Sequence, residues 1–428
     1  MKSELRARLQ GRFEPPGDKS IGHRLALLSA VATGRSRLEA FPPGQDCAST
    51  LGVLRALSVE ISRDGEAVEI EGRGLLGLTA PETVLDCGNS GSTARMASGL
   101  LAGQAFTSRL SGDESLSRRP LDRVVVPLSR MGAAIETTGG FLPMTIAGRK
   151  LRGIDYELPM ASAQVKTAVL FAGLYAEGVT RVKEPVASRN HTELALLAFG
   201  ASPVIRPGEI EIRGGSSLSP GRFRIPGDFS SAAFFIGAAA FLAGSELVVD
   251  NVGLNPTRAA FLEALKAMGA DIEVEAAPSA PTAEEPQGRV VVRGRELEGV
   301  EIPREKIPAL IDELPILAVV AAFASGTTRV EGASELRVKE SDRLSAIVEG
   351  LRALGAEVTE YEDGFEIRGA GRGGALRPAR LRSFGDHRMV MAWAVAALGV
   401  DGECAIDQLD QVKISYPGFW QTLDRLVC

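Results

Sequence analysis

Apolar residues gather in six alanine-rich stretches that each end at a glycine. The stretch 231–244 is apolar on every face when it is drawn as a helix, and a helix of this kind lies inside a protein core. The pattern therefore predicts six buried helices, at residues 23–34, 93–103, 165–178, 231–244, 314–326 and 387–399.

The segments between these stretches repeat as well. A short strand follows each glycine, as at 327–330, and in five copies a second helix ends in a Leu-x-x-(Leu/Met/Phe)-Gly-Ala pattern or a near variant, as at 351–356. A strand that alternates apolar and polar residues closes the copy, as at 365–367. The copies are about 65–85 residues apart, which is too long for a solenoid and indicates a supersecondary module repeated inside globular α/β domains.

Length and composition are those of a globular protein. The 428 residues, 45% of them hydrophobic and 24% charged, predict two domains with separate cores. No apolar run reaches the ~18 residues of a membrane helix, and residues 1–4 contain no apolar signal sequence. The net charge of −6 argues against nucleic-acid and membrane partners, so any anion must be bound by local cations.

Cysteines and histidines are too few and too scattered to indicate a metal centre. Cys47, Cys87, Cys404 and Cys428 form no C-x-x-C pair, which is typical of free thiols in a reducing cytoplasm. The three histidines are also far apart in the sequence. We therefore expect a cytoplasmic protein without a metal site.

Two similar segments, 16–20 and 226–230, open with Pro-Gly just before a buried helix. Three of the six predicted helices lie between them and three follow the second, so we expect the chain to cross between domains at these points. The predicted division is domain I at 1–14 and 227–428, domain II at 15–226, and a hinge near 14–17 and 225–228.

Two further segments have a predicted place in this scheme. No closing strand follows the last helix, predicted at 416–427, and residues 5–13 could supply it. The proline-rich tract 276–287 is interpreted as a surface insertion between repeats.

Basic residues at the starts of the predicted helices are the candidate chemistry. A helix N-terminus disfavours positive charge by about 0.3–1 kcal/mol, and a solvated charge is the plain interpretation of any one such residue. Five in equivalent places of a repeat favour anion binding, because free N–H groups and cations together suit a phosphate or carboxylate. These residues are Lys19, Arg24, Arg95, Lys166 and Arg388.

Other polar residues at helix starts have simpler explanations. Ser, Asn and Asp are preferred N-caps, and we interpret Asp228, Ser230 and Ser231 in that way. Asp312 and Glu313, just before the helix at 314–326, could also be caps.

Charged residues elsewhere are ambiguous. The basic turn 117–120 and the charges of 336–343 fit a solvated surface, although Lys339, Glu340 and Arg343 would share one side of a strand–helix junction. Lys413 is unremarkable by itself. None of these segments matches a P-loop, a G-x-G-x-x-G fingerprint or a Ser-His-Asp motif.

Together the segments resemble the 5-enolpyruvylshikimate-3-phosphate synthase family, from residue 9 to the C-terminus. The resemblance rests on Pro16-Gly17-Asp18-Lys19-Ser20 with Arg24, Gly88-Asn89-Ser90-Gly91-Ser92 with Arg95, Arg119-Pro120, Ser162-Ala163-Gln164, Arg337-Val338-Lys339-Glu340-Ser341-Asp342-Arg343 and Asp386-His387-Arg388. It implies an α/β fold of two domains, each of three βαβαββ repeats, with buried parallel helices and outer sheets in an inside-out α/β barrel.

The resemblance also implies a reaction without a cofactor. The enolpyruvyl group of phosphoenolpyruvate moves to the 5-hydroxyl of 3-phosphoshikimate, and phosphate is released. Asp312 is the expected base toward that hydroxyl, and Glu340 is the expected proton donor, with Lys19 as its rival.

The expected binding residues follow from the same motifs. For 3-phosphoshikimate they are Lys19, Ser20, Arg24, Ser162, Ala163, Gln164, Arg189, Asp312 and Lys339. For phosphoenolpyruvate they are Lys19, Gly91, Arg119, Gln164, Arg343, Arg388 and Lys413.

The chain departs from the family pattern at two positions. Ala163 stands where many members have a second serine, which removes a hydroxyl contact, and Met96 stands where many have proline. Gly91 leaves room beside the methylene pocket. We therefore expect glyphosate to inhibit the protein, and Gly91→Ala to weaken that inhibition; we also expect a monomer.

Three alternatives are open at this point. A UDP-N-acetylglucosamine enolpyruvyl transferase shares the expected fold, but that family pairs its N-terminal lysine with asparagine, whereas Ser20 follows Lys19 here, and it uses a loop cysteine that 111–120 lacks. An RNA-terminal phosphate cyclase would need a reactive histidine and a basic face, against the charge of −6. The third is a non-catalytic anion-binding scaffold.

Overall fold

A computed structural model describes residues 7–277, 284–371 and 376–428, which adopt a mixed α/β fold. These residues form two compact units. The first unit comprises the described parts of 1–16, 227–278 and 286–428, and the second comprises those of 17–226 and 279–285. The chain therefore changes unit within each of the two Pro-Gly segments.

Helices occur in both units, and each of the six apolar stretches contains one. In chain order the α-helices are α1 (Lys19–Val31), α2 (Gln45–Ala56), α3 (Gly91–Ala102), α4 (Glu114–Ser117), α5 (Asp122–Met131), α6 (Ala163–Gly173), α7 (His191–Ala198), α8 (Phe229–Phe241), α9 (Ala260–Ala267), α10 (Ile307–Leu310), α11 (Leu314–Phe323), α12 (Arg343–Ala353), α13 (His387–Leu398) and α14 (Phe419–Leu426). The 3-10 helices are Arg304–Lys306, Ser334–Val338 and Leu409–Ile414.

The strands are short. In chain order they are β1 (Gln10–Phe13), β2 (Thr33–Glu39), β3 (Glu60–Asp64), β4 (Ala67–Arg73), β5 (Leu85–Asp86), β6 (Thr107–Ser111), β7 (Ala134–Thr138), β8 (Phe141–Ala147), β9 (Asp155–Glu157), β10 (Val179–Lys183), β11 (Val204–Arg206), β12 (Glu209–Arg213), β13 (Arg222–Arg224), β14 (Glu246–Gly253), β15 (Asp271–Ala276), β16 (Gln287–Arg293), β17 (Glu301–Ile302), β18 (Thr327–Val330), β19 (Glu357–Tyr361), β20 (Gly364–Arg368), β21 (Arg380–Leu381) and β22 (Ala405–Ile406).

Among its described residues, the second unit has three four-stranded sheets. Their strand orders are β13-β2-β4-β3, β5-β6-β8-β7 and β9-β10-β12-β11. In each sheet the first pair is parallel and the other two pairs are antiparallel. Parallel neighbours need a crossover connection, and α3 and α6 provide it in the last two sheets.

The first unit has related sheets in its described part. Two have four strands, in the orders β1-β14-β16-β15 and β17-β18-β20-β19, and one has two parallel strands, β21-β22. The prediction that residues 5–13 close the last module is wrong for residues 10–13, since β1 pairs in parallel with β14. Leu9 does form an antiparallel bridge with Val427, and beside it Arg8 and Cys428 exchange backbone hydrogen bonds at 3.3 and 2.9 Å. Residues 5 and 6 lie outside the described part.

Two other predictions about segments need correction. The tract 276–287 connects the antiparallel strands β15 and β16 of one sheet, so it lies within a module and not between repeats; its residues 278–283 lie outside the described part. Residues 334–338 form a 3-10 helix instead of the predicted strand, and the Arg337 side chain donates to the carbonyls of Tyr361 and Glu362.

The helices from the six apolar stretches form the cores. In α8 every residue from Phe229 to Ala240 is buried. Gly99 of α3 faces α6 so closely that a Cβ there would lie 2.2 Å from the carbonyl oxygen of Ala168. Because glycine allows this approach, the first turns of α3 and α6 lie side by side, which positions the side chains described next.

Candidate functional site

Lys19 lies in the first turn of α1, the place where a helix N-terminus disfavours a cation. Asp18 caps the helix, and its side chain accepts a hydrogen bond from the backbone N–H of Ile21 at 3.0 Å. A second acid offsets the cation: Lys19 Nζ lies 2.7 Å from Oδ2 of Asp46, in the first turn of α2. The ammonium group is therefore held at the start of α1 with 16% of its side chain exposed.

Arg24 is buried one turn further along α1. Its Nε donates to Oγ1 of Thr192 at 2.8 Å, its Nη2 to Oγ1 of Thr167 at 2.9 Å and its Nη1 to the carbonyl of Ser20 at 2.8 Å. Burial, followed by the cation of Arg189, lowers the pKa of Arg24 to about 10, so the guanidinium stays charged at neutral pH.

Ser20 is flanked by two guanidinium groups. Arg24 bonds its carbonyl, and Arg189 Nη1 donates to its hydroxyl at 3.4 Å. The structure thus brings together Ser20, Arg24 and Arg189, three of the residues predicted to hold one phosphorylated ligand. Two cations around a hydroxyl form a suitable site for a dianionic group.

The first turns of α3 and α6 share a polar cluster. Arg95 donates from Nη1 to Oε1 of Gln164 at 3.0 Å and from Nη2 to the carbonyl of Pro120 at 3.2 Å. Gln164 donates from Nε2 to Oγ of Ser92 at 2.9 Å. The amide of Gln164 is thereby fixed in one orientation, with its acceptor on Arg95 and its donor on Ser92.

Gly91 and Arg119 adjoin this cluster. A Cβ at Gly91 would lie 2.6 Å from Nη1 of Arg95 and 3.5 Å from Nη1 of Arg119. Arg119 donates from Nη2 to Oδ1 of Asn89 at 2.7 Å and to Oγ of Ser115 at 3.0 Å. Two guanidinium groups therefore lie beside the start of α3, next to a residue without a side chain.

Ser162 and Ala163 have structural roles at the start of α6. Ser162 caps the helix by accepting from the N–H of Val165 at 3.4 Å. The carbonyl of Ala163 accepts from the hydroxyl of Thr167 at 2.6 Å. Ala163 has no hydroxyl, so the contact that a serine would make at position 163 is lost.

Lys166 is not an accessible anion ligand of the kind that the sequence predicted. Its side chain is 1% exposed, and Nζ lies 2.9 Å from Oε2 of Glu184 and 2.7 Å from Oε1 of Glu193. A buried ammonium requires such partners, because leaving water costs several kcal/mol. Anion binding at a helix start is therefore wrong for Lys166 and stays a prediction for Lys19 and Arg24.

In the first unit, Arg343 at the start of α12 lies among three carboxylates. Nε lies 2.7 Å from Oδ2 of Asp386, Nη1 lies 3.3 Å from Oδ1 of Asp312, and Nη2 donates to Glu340. Burial lowers the pKa of a guanidinium, but the charges of Asp386, Glu340 and Asp312 outweigh it and raise the pKa of Arg343. Arg343 is therefore a permanent cation.

Arg388 binds the same acidic turn from α13. Its Nη1 donates to the backbone carbonyl of Asp312 at 2.9 Å, and its Nη2 lies 3.5 Å from Oδ2 of that residue. Asp386 caps α13 by accepting from the N–H of Arg388 at 2.9 Å. The Asp312 carboxylate thus lies between two guanidinium groups and is 14% exposed.

The capping interpretation of Glu313 and Ser230 is wrong. Glu313 makes no capping bond to α11; its buried carboxylate is 2.9 Å from Nη1 of Arg258 and accepts from Oγ of Ser230 at 2.5 Å. Asp228, in contrast, does cap α8, accepting from the N–H of Ser231 at 2.8 Å. A buried ion pair therefore anchors the residue next to Asp312.

Lys339 and Lys413 differ from the buried cations. Burial lowers the pKa of Lys339, against the opposing charge of Asp312, and the 27% of the side chain that stays exposed limits the effect. Lys413 is 56% exposed and lies 2.5 Å from Asp410. The contacts described for Lys413 do not connect it with Arg343 or Arg388.

Sequence reasoning missed several residues of these clusters. Asp46, Thr192 and Glu193 all lie in the first turns of second helices, α2 and α7, whose starts approach α1 and α6. The repeat pattern located those helices, so polar residues in their first turns were a usable signal. Glu184 follows a strand and had no such signal.

Neither a metal cluster nor a membrane helix occurs in the part of the chain that the structure describes. No three His, Cys, Asp or Glu side chains there are placed to hold a metal ion. No helix of that part has the length and apolar character needed to cross a membrane.

Known proteins resemble the chain along almost its whole length. Residues 4–423 match the family model of EPSP synthase (3-phosphoshikimate 1-carboxyvinyltransferase). The 3-phosphoshikimate 1-carboxyvinyltransferase of Solibacter usitatus is 49% identical over 425 residues, which cover 98% of each chain. The protein of the same name from Synechocystis sp. is 49% identical over 426 residues, which cover 98% of this chain and 94% of that one.

Solved structures show the same similarity. EPSP synthase from Acinetobacter baumannii aligns with a TM-score of 0.86 and 41% identity, covering 98% of this chain and 96% of that one. The enolpyruvyl transferase NikO from Streptomyces tendae aligns with a TM-score of 0.73 over 98% of this chain and 95% of that one. At 18% identity, NikO shares the fold alone.

Proposed function

The chain belongs to the EPSP synthase family, and from this premise we propose how its residues perform the transfer of an enolpyruvyl group from phosphoenolpyruvate to the 5-hydroxyl of 3-phosphoshikimate. The methylene carbon of phosphoenolpyruvate gains a proton and becomes a methyl group, while the hydroxyl oxygen attacks the neighbouring carbon and loses its proton. The methyl group then loses a proton as phosphate leaves, and the double bond re-forms. The observation that carries the proposal is the Asp312 carboxylate lying between the cations Arg343 and Arg388.

The second unit supplies most of the binding groups for 3-phosphoshikimate in this proposal. Ser20, Arg24 and Arg189 hold its phosphate, which the two guanidinium groups beside the Ser20 hydroxyl support. Lys19, Ser162, Ala163 and Gln164 hold the ring. In the first unit, Asp312 and Lys339 complete the set.

Each unit offers cations for phosphoenolpyruvate. In the second unit they are Lys19 and Arg119, with Gly91 and Gln164 beside them; in the first unit they are Arg343, Arg388 and Lys413. The carboxylate and phosphate of this substrate require several positive charges, which accounts for paired guanidinium groups in a protein of net charge −6. Lys413 must turn from Asp410 to take part.

Acid and base roles go to residues with suitable chemistry. Asp312 is the base toward the 5-hydroxyl, because a carboxylate held by Arg343 and Arg388 has a fixed orientation. Glu340 is the proton donor to the methylene carbon, and Lys19 is its rival. Asp312→Asn and Glu340→Gln should each lower kcat by about 10²–10⁴-fold while both substrates still bind.

Phosphate release with alternative acceptors tests the function. The protein should release phosphate from phosphoenolpyruvate when 3-phosphoshikimate is present, and not when UDP-N-acetylglucosamine replaces it. Release with the sugar nucleotide alone would favour the other enolpyruvyl transferase. Binding of both substrates with no turnover, unchanged by Asp312→Asn, would favour a scaffold.

Four finer features belong to the same proposal. The repeated sheet orders and the buried central helices support three βαβαββ modules in each unit, with helices inside and sheets outside. The free cysteines among the described residues support a cytoplasmic protein. The boundaries 14–17 and 225–228 serve as the hinge, and the active form is a monomer.

A further inference from the structure

Lys166 forms a buried ion cluster that the proposed chemistry does not use. Its Nζ contacts Glu184 at 2.9 Å and Glu193 at 2.7 Å, and the two glutamate side chains are each 4% exposed. Two carboxylates around one ammonium leave an excess negative charge. Such a cluster contributes little net stability, because the desolvation of its charges offsets much of their attraction. It does hold the residues around it in fixed positions.

Glu184 connects the cluster to the segment that carries Arg189. Oε2 of Glu184 binds Lys166, and Oε1 accepts from the backbone N–H of Ser188 at 3.2 Å and from the Ser188 hydroxyl. Ser188 immediately precedes Arg189. The orientation of Glu184, set by Lys166, therefore fixes the backbone from which the Arg189 guanidinium reaches Ser20.

Glu193 connects the cluster to Arg24 by a second route. Glu193 follows Thr192 in α7, and the Thr192 hydroxyl accepts from Nε of Arg24 at 2.8 Å and lies 2.6 Å from the Thr167 hydroxyl. Lys166 and Thr167 are consecutive in α6. Lys166 therefore holds α7 through Glu193, and Thr167 holds it through Thr192. These contacts position the Thr192 hydroxyl, which accepts the hydrogen bond from Arg24.

We propose that Lys166 is a positioning residue for the acceptor's phosphate, acting through Glu184 on Arg189 and through Glu193 on Arg24. Both guanidinium groups bind Ser20, at its hydroxyl and its carbonyl. The proposal rests on the proposed function, which gives these two cations a phosphate to hold. Loss of the cluster should weaken the binding of 3-phosphoshikimate and leave the binding of phosphoenolpyruvate unchanged.

Steady-state kinetics of Lys166→Met test this. Methionine fills a similar volume without the charge. The KM for 3-phosphoshikimate should rise at least tenfold, with the KM for phosphoenolpyruvate within twofold and kcat within threefold of wild type. A purely structural role would change both KM values by the same factor, or would lower the yield of folded protein. Equal changes in the two KM values would overturn the proposal.

Ser188→Ala provides a second variant that keeps the ion cluster intact, in case Lys166→Met does not fold. Removing the hydroxyl bond to Glu184 should raise the KM for 3-phosphoshikimate at least threefold and leave that for phosphoenolpyruvate within twofold. Ser216→Ala is the matched control, because that hydroxyl bonds the Arg213 carbonyl on an exposed turn of the same unit; it should change neither KM.

Kinetics of the wild type and of the variants distinguish failure of the proposed function from failure of the role of Lys166. Wild-type protein that does not turn over 3-phosphoshikimate and phosphoenolpyruvate would refute the proposed function. Active wild type with an unchanged KM for 3-phosphoshikimate in both Lys166→Met and Ser188→Ala would refute the role of Lys166 alone.

Discussion

The ammonium nitrogen of Lys19 lies 2.7 Å from Oδ2 of Asp46. The acid stands in the first turn of α2 and the cation in the first turn of α1. A flexible lysine is thereby restrained before any substrate binds, so less entropy is lost when an anion takes up the charge. The pair explains how a cation can occupy a helix start that disfavours it.

Lys19→Met removes that cation. We expect kcat/KM to fall about 10²–10⁴-fold, because Lys19 contacts both substrates in the proposed site and is a candidate acid. Phosphate release under steady-state conditions measures the loss. Lys183→Met is the control, since Lys183 is 54% exposed on β10 and should be silent. A variant as active as that control would remove Lys19 from the site.

Gly91→Ala tests the space at the start of α3. The added Cβ would lie 2.6 Å from Nη1 of Arg95, so that guanidinium must move and the room beside it shrinks. We expect glyphosate to inhibit the wild type and to inhibit this variant at least tenfold less strongly. Glyphosate inhibition curves of the two proteins, recorded at a fixed concentration of phosphoenolpyruvate, measure this difference. Superimposable curves would show that Gly91 does not border the inhibitor.

Arg258→Met should destabilise the first unit. The change removes the guanidinium that lies 2.9 Å from the fully buried Glu313, and Arg388 Nη1 is farther from that carboxylate, at 3.7 Å. Removing one member of a buried pair costs about 3–5 kcal/mol. Chemical denaturation measures the free energy of unfolding. Arg304→Met breaks an exposed pair with Asp363 and should cost at most about 1 kcal/mol. Similar losses in both variants would contradict the importance of the buried pair.

His23 should make stability depend on pH. Burial, followed by the charges of Lys19 and Arg24, holds its pKa well below the ordinary 6.5, so the folded protein disfavours the protonated ring. The unfolded chain then binds more protons. His23 therefore contributes no penalty above pH 6.5 and lowers the free energy of unfolding as pH falls below it, by up to about 1.4 kcal/mol per pH unit.

The comparison with His23→Asn isolates this effect from carboxylates that titrate in the same range. Asparagine can keep a hydrogen bond to Thr50, which lies 2.7 Å from Nδ1 of His23. The difference in free energy of unfolding between the two proteins should change steeply between pH 6.5 and 5. A difference that stays flat over that interval would mean that His23 titrates normally.

Local pattern predicted the helices better than it predicted the pairing of strands. The stretch 231–244 is apolar on all sides, and α8 lies there because no surface position suits such a sequence. The partner of β1 could not be predicted in this way. Its four residues fit several sheet edges, and the choice of β14 depends on contacts more than 230 residues away in the chain.

The site was predicted only in part for a similar reason. Arg24 and Lys166 look alike in the sequence, since each follows a capping residue at a helix start. Arg24 bonds hydroxyls and a carbonyl, whereas Lys166 is enclosed by Glu184 and Glu193. Only the folded chain shows which side chains become the partners of each cation.

Transfer of carbon from labelled phosphoenolpyruvate tests the central claim most directly. With phosphoenolpyruvate labelled by ¹³C at its methylene carbon and an excess of 3-phosphoshikimate, nuclear magnetic resonance should show the label in an enol ether of the acceptor, formed in equal amount to the phosphate released. Phosphate released with the label recovered only in pyruvate would mean hydrolysis without transfer, and would contradict the account.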